Sequence, residues 1–165
     1  MVIGVKLDNI DLKILNILQR EGRITKSALA AKVGLSASPC WERLRRLETG
    51  GVISGYGARI ALNEIGSFVT IFVVIELDSH KAGAFQAFET AVGGVDEITS
   101  CHAIGGGFDY LMRVVSSDIE AYQQTIDQLL ASNIGMARYY SYIVTKVVKD
   151  GEDVPLSAVD LKPKD

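Results

Sequence analysis

The hydrophobic pattern of the chain begins with a helical repeat in residues 7–22. Asp8 suits the N-cap position of this helix, Asp11 suits the positive end of the helix dipole, and Gly22 suits a left-handed stop. One apolar face follows from the residues at helical spacing: Ile10, Ile14, Leu15, Ile17 and Leu18. The pattern therefore predicts an amphipathic first helix with one side in a core.

Two further helices are predicted directly after the first. Thr25 can cap a short helix over residues 26–33, and Gly34 predicts a tight turn at its end. Ser36 can cap a third helix, which the glycine pair at 50–51 would terminate. A short helix, a tight turn and a longer helix are the parts of a helix-turn-helix.

The third helix has a buried side and a charged side when its residues are placed on a helical wheel. Cys40, Leu44 and Leu47 lie within about 60° of one another, at about 100° per residue, and form the predicted buried seam. The opposite side carries polar and charged residues: Ser38, Glu42, Arg45 and Arg46, flanked by Trp41 and Arg43. The alternating segment 51–62 that follows is predicted to be a strand or a wing.

The second half of the chain alternates strand and helix patterns. Strands are predicted in runs rich in β-branched and aromatic residues: 68–77, 95–104, 108–115 and 137–149. Amphipathic helices are predicted over 80–92 and 119–132, the second capped by Asp118. The order β-α-β-β-α-β predicts a ferredoxin-like sheet with both helices on one face. Because the first strand is apolar at nearly every position, the other face is predicted to pack on a second copy.

These patterns predict an α+β protein with an N-terminal winged helix-turn-helix and a C-terminal ferredoxin-like βαββαβ sandwich. We divide the chain into four parts: a helix-turn-helix domain 1–52, a strand or linker 53–66, a ferredoxin-like domain 67–149, and a polar tail 150–165.

Composition places the chain among ordinary globular proteins. It has 165 residues, of which 48% are hydrophobic and 22% charged, so a sizeable core is expected. The longest apolar run, 68–77, is about half of the ~20 residues that a membrane-spanning helix needs, and the N-terminus does not read as a signal peptide. Cys40 and Cys101 lie far apart with no metal spacing, so neither a disulfide scaffold nor a metal or cofactor is expected, and a reducing cytoplasm is the predicted location.

The formal net charge of −3 conceals an asymmetry. Residues 1–62 carry ten Lys and Arg against five acids, whereas residues 63–165 carry seven against fifteen. The basic first part suits an anionic partner, although surface charge also varies without a functional reason.

The arginines of the third helix suit double-stranded DNA. An arginine fork matches guanine O6 and N7 or two phosphate oxygens, and hydroxyls at a helix N-terminus suit phosphate. We predict that Arg45 and Ser38 reach base edges and that Arg43, Arg46 and Ser36 hold phosphates. The full set of predicted DNA-binding residues is Ser36, Ser38, Trp41, Glu42, Arg43, Arg45 and Arg46.

Two alternatives stay open at this point. The arginines could form an ordinary solvated helix face, and Glu42 could accept a hydrogen bond from cytosine or only tether a neighbouring arginine. If the DNA interpretation holds, paired half-sites are expected about one helical turn apart or a multiple of it.

The residues do not favour an enzyme. Only His80 and His102 are histidines, and neither belongs to an HxH or HExxH pattern. The glycine run 105–107 matches neither a phosphate-binding Walker loop nor GxGxxG. No catalytic residues and no metal ligands are therefore predicted.

The chain resembles the Lrp/AsnC family of transcription regulators over residues 6–149. The resemblance rests on "LDNIDLKILNILQREGRI", on "LAAKVGLSASPCWERLRRLETGGVISGY" and on "GGGFDYLMRV". It implies DNA binding by the second and third helices. It also implies a homodimer, extended to a tetramer or octamer, and an amino acid or derivative as effector, bound between subunits near the loop that joins the middle strands. The alternative is a small-molecule-binding assembly module without direct DNA recognition.

The resemblance also implies the effector-binding residues. Where the family tends to have Thr-Gly-acid-aromatic-Asp-Tyr, this chain has the sequence of residues 105–110, so a hydroxyl and an acid are replaced by glycine. The implied residues are His102, Ile104, Gly105, Gly106, Gly107, Phe108, Asp109, Tyr139 and Ser141. This variant looks like the subgroup that regulates catabolic operons, including those for compatible solutes such as ectoine.

Simpler structural roles remain open for several of these residues. Glycines 105–107 also suit a tight strand connection, His102 also suits a structural role, and Asp109 could either bind an amine or cap the turn.

Overall fold

The computed structural model describes residues 6–149, 151 and 153–158. The chain folds as two compact units: Met1–Arg59 together with Asp150–Asp165, and Ile60–Lys149. Among the described residues, no helix is long and apolar enough to cross a membrane.

The first unit contains three helices: α1 (Asn9–Arg20), α2 (Lys26–Val33) and α3 (Ala37–Thr49). The predicted caps of α1 and α2 are confirmed, because Asp8 accepts hydrogen bonds from the N–H groups of Ile10 and Asp11, and Thr25 accepts one from Ala28. Asp11 returns a bond to the Asp8 N–H, which completes a capping box.

Two details of the predicted helix ends are wrong or incomplete. Gly22 is not a left-handed stop, because α1 ends at Arg20 with Glu21 as its C-cap at φ −127°. Ser36 occupies the N-cap position of α3, but its side chain makes no capping hydrogen bond. Gly34 does adopt the predicted left-handed conformation, with φ 75° and ψ 34°, between α2 and α3.

We expect Gly34→Ala to destabilise the first unit by about 1–2 kcal/mol, because in the left-handed region the Cβ of an alanine lies too close to the following carbonyl oxygen. A Cβ at this position meets no atom within 4 Å, so the effect is one of backbone conformation alone. Denaturant unfolding followed by the fluorescence of Trp41, the single tryptophan, measures it in this unit.

Gly22→Ala is the matched control. This glycine lies outside the left-handed region and its added Cβ would meet only the Leu18 carbonyl oxygen at 3.7 Å. Its effect should stay within about 0.5 kcal/mol. Equal losses for the two variants would contradict the conformational explanation.

The three helices enclose a small apolar core that includes the predicted seam of α3. Its buried members are Ile14, Leu29, Ala30, Val33, Cys40, Leu44 and Leu47. After α3, residues 51–61 form no strand with any described part of this chain, and most of their side chains are exposed. The strand predicted for 51–62 is therefore not formed, because the described chain offers it no hydrogen-bonding partner, and the segment keeps only the position of a wing.

The second unit has the predicted order of elements: β1 (Val69–Leu77), α4 (Ala82–Val92), β2 (Ile98–Ala103), β3 (Tyr110–Ser116), α5 (Ile119–Ala131) and β4 (Met136–Ile143). The strands pair antiparallel in the order β2-β3-β1-β4, which is the ferredoxin-like arrangement. The strand predicted over 137–149 ends earlier, at Ile143.

Both helices cover the same face of this sheet. Alternate residues of β1, from Ile71 to Leu77, are buried there with Phe88 of α4 and Ile126 of α5. The opposite face has no cover within the described chain. On it, Phe72 pairs with Tyr142 and Val74 pairs with Tyr140, and the aromatic members are exposed.

Candidate nucleic-acid interface and ligand site

The turn between α2 and α3 fixes the orientation of α3. The Gly34 N–H donates to the carbonyl oxygens of Ala30 and Ala31, and the Leu35 N–H donates to Ala30. At the start of the helices, the Lys26 ammonium lies 3.2 Å from the centre of the Trp41 ring. Trp41 therefore joins the N-terminal turns of α2 and α3 while part of its ring stays exposed.

Three polar side chains of α3 face solvent without any partner in the described chain. Ser38, Glu42 and Arg45 are exposed, and none of their side chains makes a hydrogen bond or ion pair with another described residue. Glu42 thus does not tether a neighbouring arginine, which was one of its two possible roles. The side of α3 opposite the buried seam offers a donor, an acceptor and a hydroxyl to an incoming molecule.

Arg43 and Arg46 are engaged differently, because both bind the fully buried Asp11 of α1. Arg43 Nη1 lies 2.9 Å from Asp11 Oδ1 and 2.6 Å from Asp8 Oδ2, and Arg46 Nη2 lies 2.5 Å from Asp11 Oδ2. The side chain of Arg46 keeps 48% of its exposure and that of Arg43 keeps 27%. These two arginines hold α3 against α1 and still present an edge to solvent.

The pKa values of this cluster shift as expected for ion pairs. Hydrogen bonds from the Asp11 N–H and then from Arg43 lower the pKa of Asp8, and the same pairing with Asp8 and Asp11 raises the pKa of Arg43. The sequence prediction missed the role of Asp11. A signal was present, because Asp11 stands at helical spacing with Ile14 and Leu18, inside the apolar face of α1.

In the second unit, the loop between β2 and β3 is closed by its own backbone. The Ile104 N–H donates to the Asp109 carbonyl oxygen at 2.9 Å, and Gly106 adopts φ 135°, a conformation that favours glycine. Added Cβ atoms at Gly105 and Gly107 would meet nothing within 4 Å, so the loop backbone is open to its surroundings.

Asp109 fastens this loop to the end of β1. Its Oδ2 accepts from the Leu77 N–H at 2.8 Å, its Oδ1 lies 3.0 Å from His80 Nε2, and its side chain is 16% exposed. Of the two roles left open for Asp109, the structural role is the one for which the chain provides partners.

The candidate ligand residues fall on opposite faces of the sheet. The Phe108 ring packs edge-on against Tyr140 at a centroid distance of 5.6 Å, and the strand pairing places His102 in the same row as Tyr140, through Leu111 and Val74. This row belongs to the open face, beside the glycine loop.

Tyr139 and Ser141 lie on the helix-covered face instead. Tyr139 packs against the core, and the Ser141 hydroxyl hydrogen-bonds to the Tyr122 hydroxyl of α5. The structure therefore brings Tyr140, a residue absent from the predicted set, close to Phe108, and it does not bring Tyr139 or Ser141 there. The alternation of side chains over residues 139–141 of β4 separates them.

The remaining reactive groups do not gather into a site. Burial raises the pKa of the thiols of Cys40 and Cys101, and both cysteines are free. In the described part of the chain, no group of three or more His, Cys, Asp or Glu side chains is placed to hold a metal ion.

Comparison with known proteins adds two family models and several relatives. A winged helix-turn-helix DNA-binding model matches residues 7–54, and an Lrp/AsnC ligand binding domain model matches residues 70–154. The transcriptional regulatory protein DoeX of Halomonas elongata is 52% identical over 145 residues, which are 88% of this chain and 92% of that protein.

Solved structures resemble the chain over most of its length. An AsnC family transcriptional regulator from Agrobacterium tumefaciens matches with a TM-score of 0.86 and 34% identity, over 92% of this chain and 98% of that one. A transcriptional regulator from Neisseria meningitidis, solved as a complex with L-Met, matches with a TM-score of 0.84 and 32% identity, over 91% and 97%.

Proposed function

The chain belongs to the Lrp/AsnC family of DNA-binding transcription regulators, and we propose that it reads operator DNA with the exposed side of α3. Its relatives are regulators and not enzymes, as the sequence predicted. The proposal rests on the exposed side of α3, where the side chains of Ser38, Glu42 and Arg45 have no partner in the described chain.

Arg45 and Ser38 are proposed to contact base edges. Side chains that pair with nothing in the described chain lose no internal bond when they enter the major groove, so only their hydrogen bonds to water are exchanged. Glu42 would accept from cytosine N4 in the same groove.

Phosphate contacts are proposed for Ser36, Arg43 and Arg46, with Trp41 at the edge of the interface. The Ser36 hydroxyl is not used for capping, so it is available at the N-terminus of α3. Arg43 and Arg46 would share their guanidinium groups between Asp11 and phosphate, which orients them before DNA arrives.

We propose an amino acid or amino-acid derivative as the effector of the second unit. The backbone of the glycine loop is open for a carboxylate, and Phe108 with Tyr140 supplies an aromatic wall on the same face. The Lrp/AsnC ligand binding domain model covers these residues, and the similar Neisseria protein was solved with L-Met. His102 and the loop residues 104–107 complete the proposed site. Asp109 holds this loop against the end of β1 through its hydrogen bond with Leu77.

The open face of the sheet supports the proposal of a homodimer that can extend to a tetramer or octamer. Phe72, Tyr140 and Tyr142 are large, apolar or aromatic, and exposed together in a single chain. An effector site beside this face would then lie next to a second subunit. A cytoplasmic location and the subgroup of compatible-solute regulators stay predictions.

A thermal-shift panel of the amino acids, with ectoine as a cyclic derivative and L-methionine as the first probe, tests the effector site. At least one compound should raise the melting temperature, and above its Kd the rise should grow with the logarithm of its concentration. Phe108→Ala and Tyr140→Ala should each weaken its binding about tenfold, through loss of the aromatic wall.

Ser141→Ala is the matched control, because Ser141 was also predicted to bind the effector and lies on the covered face of β4. It should bind the compound as the wild type does. A panel without any hit, or a Ser141→Ala variant weakened more than Phe108→Ala, would contradict the proposed site.

A further inference from the structure

The C-terminal segment returns to the DNA-binding unit and binds the end of α1. The side-chain amide of Gln19 makes two hydrogen bonds with the backbone of Val154: its Nε2 donates to the carbonyl oxygen at 3.3 Å, and its Oε1 accepts from the N–H at 2.7 Å. A paired amide contact of this kind fixes the segment in one register beside the helix.

Asp153, the residue before this contact, binds two arginines of the same unit. Its Oδ1 lies 2.7 Å from Arg59 Nη2, and its Oδ2 lies 3.5 Å from Arg20 Nε. Arg59 Nη2 also donates to the Gln19 carbonyl oxygen at 3.2 Å. Hydrogen bonding to Arg59 lowers the pKa of Asp153, so this carboxylate is ionised at neutral pH.

These residues line a cavity of about 910 Å³. Three arginines contribute to it, namely Arg20, Arg23 and Arg59, together with the glycine-rich segment 54–57. Among the described lining residues, Asp153 is the only acid. The side chains of Arg20 and Arg59 are 74% and 59% exposed, so the cavity is open to solvent at both arginines.

A carboxylate between two guanidinium groups occupies the kind of site that also takes a phosphate. Both anions present paired oxygens to the arginine fork, and both are recognised by the same donors. We propose that this arginine-lined cavity is a second DNA-phosphate site of the DNA-binding unit, and that Asp153 occupies it as a competing carboxylate in the free protein.

The place of the cavity within the first unit favours a DNA phosphate as the occupant. Arg23 lies two residues before Thr25, the N-cap of α2, and the first helix of a helix-turn-helix crosses the DNA backbone. The segment 54–59 begins five residues after Thr49, the last residue of α3. The tail itself carries Asp150, Glu152 and Asp153 within four residues of sequence, a charge pattern that suits a basic surface.

The inference rests on the proposed DNA-binding function and is tested by the salt dependence of that binding. Asp153→Asn keeps the size of the side chain and removes its charge. If the uncharged side chain leaves the cavity to one further phosphate, the slope of log Kobs against log salt steepens by about 0.9. Affinity for a random-sequence duplex would then fall about 3.5-fold further than for the wild type between 50 and 200 mM salt.

Glu97→Gln is the control for net charge, because Glu97 is exposed on the second unit. It should leave the slope within error of the wild type. The gain of Asp153→Asn should disappear when Arg20→Ala and Arg59→Ala are added to it. Circular dichroism of each variant verifies folding, and Asp153→Ala repeats the test with a second side chain.

The outcomes separate the two levels of the account. An unchanged slope for Asp153→Asn, with DNA binding intact, overturns the second phosphate site alone. A gain that survives in the triple variant also overturns it, since the arginines would not carry the effect. Absence of DNA binding in the wild type would remove both the proposed function and this inference.

Discussion

Asp11→Ala is expected to destabilise the DNA-binding unit by about 3 kcal/mol, because the buried carboxylate that holds two arginines is lost and only Arg43 keeps another partner, Asp8. Asp11 is fully buried and binds Arg43, Arg46 and the Asp8 N–H. The exposure of Arg46 lets water compensate part of the loss, which keeps the effect at the lower end of the range for buried pairs. A loss of this size removes most of the stability margin of a small domain.

Denaturant unfolding followed by Trp41 fluorescence measures this effect at one fixed protein concentration, since association would otherwise contribute. Asp118→Ala is the matched control: it removes an N-cap carboxylate from α5 that accepts from the Ala121 N–H and pairs with no arginine. It should cost the second unit about 1 kcal/mol and leave the Trp41 transition unchanged. A Trp41 transition that is equally insensitive to Asp11→Ala would contradict the anchoring role of Asp11.

Arg45→Ala is expected to weaken binding to the specific site by about 1–3 kcal/mol, which is about 5- to 150-fold in Kd, and to relax sequence preference at one base pair. The side chain of Arg45 is exposed and has no partner in the described chain, so its removal leaves the fold of α3 intact. Affinity for random-sequence DNA should change far less, because a base contact contributes nothing there.

Lys13→Ala provides the comparison for charge, since Lys13 is an exposed cation on α1 of the same unit. Any loss that it causes should be equal on specific and random duplexes. Fluorescence anisotropy at several salt concentrations gives both affinities for each variant. If Arg45→Ala also lost the same free energy of binding on both duplexes, Arg45 would contact phosphate and would not contact a base.

The features that the sequence predicted correctly are those fixed by neighbours along the chain. Asp8 and Thr25 cap helices because their hydroxyl or carboxylate oxygens reach N–H groups two or three residues ahead. The seam of Cys40, Leu44 and Leu47 follows from the helical period alone. Such local rules also gave the order of elements in the second unit.

The features that the sequence predicted incompletely depend on contacts between elements that are distant along the chain. Arg43 and Arg46 look like free cations until α1 places Asp11 against them, a contact across more than thirty residues. The two-residue period of β4 separates Tyr139 from Tyr140, but which of them shares a face with Phe108 depends on strand register. The return of Asp153 to Arg20 and Arg59 has no local signal either.

The prediction of a strand over 51–62 failed for a different reason. Its sequence alternates as a strand does, but a strand also needs a neighbour, and the described chain supplies none at this point. Periodicity reports the preference of a segment and not the presence of its partner.

The most direct test of the account is the ratio of two affinities of the wild-type protein, measured by fluorescence anisotropy at about 150 mM salt, the physiological value. One duplex spans the region upstream of the protein's own gene, and the other has the same composition in shuffled order. We expect the upstream duplex to bind at least about 10³-fold more tightly, as sequence-specific regulators do. A ratio near one, with both affinities falling steeply with salt, would show that α3 holds only phosphates and would contradict sequence reading by this chain.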